Sequence, residues 1–117
     1  MIEKHISKSQ FCKALGMIKA PGKAQKKFLQ AHYSSPGKAS TASVLARAAK
    51  YKSYDGINLQ YGLLAKRIGE ALGIPDAHLG LILEFNRPDS LTNEHWVLSM
   101  KSEFADALLE QGWVDRA

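Results

Sequence analysis

The chain has 117 residues, 45% of them hydrophobic and 23% charged, with a formal net charge of +5. This size and apolar content suit one folded domain with its own core and exclude a disordered tail, while a single cysteine, Cys12, excludes an intrachain disulfide. The charge is split along the chain: residues 1–69 hold thirteen Lys/Arg against two acids, a net +11, and residues 70–117 hold three against nine, a net −6.

Ser7 followed by Gln10 has the spacing of a capping box, and Phe11, Leu15 and Ile18 recur at helical spacing, which predicts a helix over 8–18. Ala20-Pro-Gly-Lys-Ala24 breaks the chain, and Phe28, Leu29, His32 and Tyr33 then share one side of a second helix over 23–33. The string Pro-Gly-Lys-Ala occurs at 21–24 and again at 36–39, each time just ahead of a helical pattern. Two readings fit it: an ordinary turn, or a lysine and exposed backbone N–H groups placed to meet a phosphate. A Walker loop is not among them, because Ala24 and Ala39 stand where Ser or Thr is required.

Thr41 predicts the cap of a third helix, 42–50, burying Val44, Leu45 and Ala48. The segment 51–56 is polar and aromatic and reads as a loop. A fourth helix, 57–72, carries a core stripe of Ile57, Tyr61, Leu64, Ile68 and Leu72 and stops at Gly73, with Pro75 beyond it. The period then changes to two. Leu81, Leu83 and Phe85 alternate, as do Trp96, Leu98 and Met100, and residues 86–93 between them are rich in turn formers, which predicts a β-hairpin over 80–99. Ser102 predicts the cap of a last helix, 103–111, which buries Phe104 and Leu108 and ends at Gly112, leaving Trp113 and Val114 to pack back.

The expected fold is α+β, mainly α, with one domain spanning 1–117. A helix-turn-helix at 41–73 followed by a hairpin is the element order of a winged helix, in which the second helix of the pair enters the major groove. A segregated basic half matches a polyanion, since clustered cations release counterions on binding. Double-stranded DNA is therefore the expected partner. Lys38, Ser40, Thr41, Ser43 and Arg47 lie on the first helix of the pair or just ahead of it. Lys50, Lys52, Ser53 and Tyr54 alternate cations, hydroxyls and aromatics in the joining loop, and all are types that meet phosphate. Tyr51 reads either as part of that cluster or as a core anchor. On the fourth helix Asn58, Gly62, Ala65 and Gly69 form a stripe of small residues beside Lys66, and Arg67 adds a further cation to the same helix. The stripe admits either DNA or a packed neighbour, and Asn58 either reads adenine or caps the helix. Arg87 is the hairpin loop's cation, with Glu84, Asp89 and Glu94 around it.

No catalytic motif appears. His95 and Glu94 are adjacent in an expected strand and point to opposite faces, and Cys12 has no base arranged near it in sequence, so the chain reads as a non-enzyme without a cofactor. The four scattered histidines lack zinc-site spacing, no apolar run reaches membrane-spanning length, and Met1-Ile-Glu-Lys lacks the apolar stretch of a secretory signal. The expectation is a cytoplasmic protein. A protein-interaction adaptor, using its basic or acidic face, is the alternative to the DNA-binding reading.

Ala31-His32-Tyr33, Pro36-Gly37, Thr41-Ala42, Leu45-Ala46, Tyr51, Tyr54, Asn58-Leu-Gln-Tyr-Gly62, Trp96 and Gly112-Trp-Val114 together carry a further signal. In these positions the chain resembles a module of bacterial restriction-type proteins that precedes an HNH nuclease domain. The resemblance covers most of the chain and implies a DNA-recognition module, one that reads modified DNA among its candidate roles, with a nuclease as a candidate partner. The nuclease half has no counterpart in this sequence, so no cleavage activity is implied.

Overall fold

The computed structural model describes residues 6–52, 54–86 and 97–116. Its elements in chain order are α1 (Lys8–Met17), α2 (Lys23–Ser34), a 3-10 turn (Pro36–Lys38), β1 (Ala39–Thr41), α3 (Ala42–Ala48), α4 (Tyr54–Leu72), a second 3-10 turn (Leu79–Leu81), β2 (Leu83–Asn86), β3 (Val97–Met100) and α5 (Ser102–Glu110). The fold is α+β and mainly helical, with a small antiparallel sheet ordered β1-β3-β2.

The caps expected at Ser7 and Thr41 form, whereas Ser102, expected to cap the last helix, is the first residue of α5, whose N-cap is Lys101 with no side-chain cap bond. Ser7 Oγ accepts from the Gln10 N–H at 3.2 Å and Gln10 Oε1 accepts from the Ser7 N–H at 3.0 Å, which closes the capping box of α1. Thr41 Oγ1 accepts from the Val44 N–H at 3.3 Å and starts α3. Helix α4 runs through the core and buries Ile57, Tyr61, Leu64, Ala65 and Ile68, each at most 1% exposed. Burying each large apolar side chain contributes on the order of 1.5–3 kcal/mol. Helix α5 lies against α1, with the Phe11 and Phe104 rings edge to face at 5.7 Å.

Four further expectations need correction. Strand β1 was not foreseen. It pairs Ala39 with Ser99 and Thr41 with Val97, and three residues are too few to show a period. Helix α4 begins at Tyr54, inside the expected loop. Tyr51 lies over Gly56, where an added Cβ would sit 3.0 Å from its Cδ1, so the absent side chain lets the ring cover the first turn. Asp55 in that turn favours the positive end of the helix dipole. The helix α3 ends at Ala48, and Val44 and Ala48 face outward while Leu45, Ala46 and Ala49 are buried. Finally, residues 79–81 form a helical turn instead of extending the strand, Ile82 and Leu83 are both buried, and Phe85, expected on the buried face, is 42% exposed. The hairpin pairing itself holds, with Leu83 opposite Met100 and Phe85 opposite Leu98.

The C-terminal segment is tied to α2. Gln30 Oε1 accepts from the Asp115 N–H at 2.7 Å and Gln30 Nε2 donates to the Asp115 carbonyl at 3.0 Å. Trp113 and Val114 are buried beneath this clamp.

Candidate nucleic-acid interface

The polar residues ahead of α3 are partly committed to structure. Ser40 Oγ donates to the Thr41 carbonyl at 3.4 Å, and Thr41 Oγ1 is occupied by the cap. Lys38 adopts φ 53, and its Nζ lies 4.7 Å from the centre of the Tyr33 ring, a cation–π contact that holds the side chain over α2.

The turn from α3 to α4 gathers more of the expected residues. Ser43, Ala46, Arg47, Tyr51, Lys52 and Tyr54 line an open recess of about 370 Å³. Tyr51 forms its inner wall, packed on the core with its ring 6.3 Å from that of Phe28. Tyr51 is therefore the anchor, and Tyr54, 50% exposed, is the tyrosine that a ligand can reach. Arg47 and Lys52 supply two exposed cations to the same recess.

Lys50 sits beside it in an unusual backbone position. The Tyr51 N–H donates to the Ala46 carbonyl at 2.8 Å and the Lys50 N–H to the Arg47 carbonyl at 3.3 Å, the pair of bonds that closes a Schellman motif. The residue after the cap must then be left-handed, and Lys50 has φ 62. The chain uses glycine at the same place after α4 and α5, with Gly73 at φ 73 and Gly112 at φ 75. A non-glycine residue there costs about 1 kcal/mol. The left-handed position thus presents an exposed cation at the tip of the turn despite that cost.

Helix α4 separates its candidates. At 100° per residue Asn58 and Arg67 fall on opposite flanks, so the two do not share a contact surface. Asn58 is half-buried in the second turn of α4, which rules out the capping role. The small-residue stripe divides as well. Gly69 packs against the neighbouring segment, where an added Cβ would overlap Ala77 Cβ and lie 3.1 Å from the Ile74 carbonyl. Gly62 faces open space. The outermost ridge of the helix is Asp55, Leu59, Leu63, Lys66 and Glu70, with Leu59 61% and Leu63 38% exposed. Two acids and two leucines do not make a phosphate-binding face. Ser53 and Arg87 lie outside the described residues.

Two polar networks escaped the sequence reading. His32 is fully buried, with Nε2 2.7 Å from the Leu98 carbonyl and Nδ1 2.7 Å from the Tyr61 hydroxyl. A carbonyl only accepts, so Nε2 carries the proton and donates, and Nδ1 accepts from Tyr61. Burial lowers the His32 pKa against the opposing bond to Leu98, and burial raises that of Tyr61 well above its usual value. The signal was a histidine in the middle of an apolar helix face. Between α1 and α5, the Cys12 thiol donates to Glu110 Oε2 at 3.0 Å and Lys8 Nζ pairs with Glu110 Oε1 at 3.0 Å. Burial, then the bond to Glu110, pushes the thiol pKa up, so Cys12 stays a thiol. The bond from Cys12, then the pairing with Lys8, holds the Glu110 carboxyl below its usual range.

Among the described residues no group of three or more His, Cys, Asp or Glu is placed to hold a metal ion, and no helix is long and apolar enough to cross a membrane. No protein-family model, curated protein or solved structure matches the chain.

Proposed function

We propose that the chain is a double-stranded DNA-binding module of winged-helix-like design that grips the phosphate backbone through the α3–α4 turn. The observation that carries this reading is the recess where Ser43, Arg47, Lys52 and Tyr54 converge, with Lys50 held left-handed beside it. Cations, hydroxyls and an exposed aromatic ring are the groups that meet phosphate and sugar. The element order supports the architecture: helix, strand, two helices, then two strands, with the first strand beside the last. The link to restriction, including modified DNA as a target and a nuclease as partner, rests on the resemblance of residues such as Asn58-Leu-Gln-Tyr-Gly62.

Fluorescence anisotropy with a labelled duplex tests the reading. Contacts from Arg47, Lys50 and Lys52 predict that log affinity falls by about 2.7 per log unit of salt, at roughly 0.9 per phosphate neutralised. Reversing Lys50 and Lys52 to Glu should weaken binding to every duplex alike and flatten the slope. No binding at low salt, or affinity indifferent to the reversal, overturns the proposal. The adaptor reading has its own observation, the exposed leucines of α4, which lead to a different partner.

A further inference from the structure

The exposed ridge of α4 is self-complementary. Asp55 lies near the start of the helix and Lys66 eleven residues later on the same flank, while Leu59 and Leu63 lie between them, one turn apart. Among the described residues no ion pair engages Asp55, Lys66 or Glu70. A two-fold axis passing between Leu59 and Leu63 sets a second α4 antiparallel on the first. In that arrangement Leu59 of each copy meets Leu63 of the other, and Asp55 of each copy meets Lys66 of the other. A parallel arrangement would instead bring Asp55 against Asp55 and Lys66 against Lys66, which repel. A two-fold contact also closes on itself and leaves no open surface for a third copy.

We propose that the Leu59–Leu63 ridge of α4 docks a second copy of this chain as an antiparallel α4–α4 pair, with Asp55 and Lys66 setting its direction. The ridge then serves protein association, and duplex contact falls to the two α3–α4 turns, one at each end of the paired helices. A contact this narrow belongs to the weak, transient class of interface.

Sedimentation velocity over a concentration series, up to about 1 mM, reads the pairing directly. The expected result is a monomer–dimer equilibrium that Leu59→Lys weakens at least tenfold. Neither leucine belongs to the core, so circular dichroism should stay unchanged. Asp55→Lys and Lys66→Asp should each weaken the dimer, and the two together should restore it. A monomer at every concentration overturns the proposal, and so does a dimer that survives Leu59→Lys or is not rescued by the double exchange. Arg47→Ala and Lys50→Ala, which lower duplex affinity on the DNA reading, should leave the dimer unchanged, so the two ideas fail separately.

Discussion

At the residue scale, two side chains occupy positions that ordinary preferences disfavour. His32 is neutral and buried where a charge would be costly, bridging α2 to α4 and to β3. Its folded pKa lies below the ordinary 6.5, because burial penalises the charged ring. Above that pH neither the folded nor the unfolded chain protonates it, and its contribution is complete. As pH falls below 6.5 the unfolded chain takes up the proton first, so stability declines until the lower folded pKa is reached, by at most about 1.4 kcal/mol per pH unit. Urea unfolding between pH 7 and 5 should show this loss, and His32→Gln should flatten it. Lys50 is the other case. Lys50→Gly relieves a left-handed backbone, so thermal unfolding should show stability held or raised by up to about 1 kcal/mol. Duplex affinity should fall in the same variant. Lys50→Ala removes the charge without relieving the backbone and should lower affinity with no gain in stability.

Helix α4 joins two glycines of opposite consequence at the scale of the element. Gly62→Ala fills open space in a helix interior and should stabilise by up to about 1 kcal/mol. Gly69→Ala drives a methyl group into Ala77 and should destabilise by about 1–3 kcal/mol. Chemical denaturation of the two variants checks both signs. From sequence the two were alike, since spacing gives a face of the helix but not what lies against it. The same limit explains the other errors. The Ser7–Gln10 box, the Thr41 cap and the stops at Gly73 and Gly112 act locally and were legible. Strand β1 exists because β3 lies beside it, and the outward turn of Val44 depends on where α4 packs, so neither left a trace in local sequence. At the candidate site the residue types of the α3–α4 turn were readable, but the division of labour between Tyr51 and Tyr54 required their burial.

Across the whole molecule, the charge split along the chain is not a split in space. Helix α1 comes from the basic half and α5 from the acidic half, yet they pack through Phe11 and Phe104 and are joined by Lys8 and Glu110. Lys8 of the N-terminal helix is therefore engaged by an acid of the other half, which leaves fewer free cations for a polyanion than the net +11 suggested. The packing also joins the ends of the chain to one hydrophobic cluster. Phe104→Ala should cost about 3–5 kcal/mol, and Trp fluorescence and circular dichroism should report a coincident unfolding transition before and after the change. The clamp from Gln30 ties the C-terminal segment to α2 and engages Asp115 through its peptide groups alone. A side chain that meets its partner only at the partner's main-chain N–H and C=O cannot distinguish one amino acid from another there. Position 115 is thus open to nearly any replacement, and proline, which has no N–H to offer, is the one it must refuse.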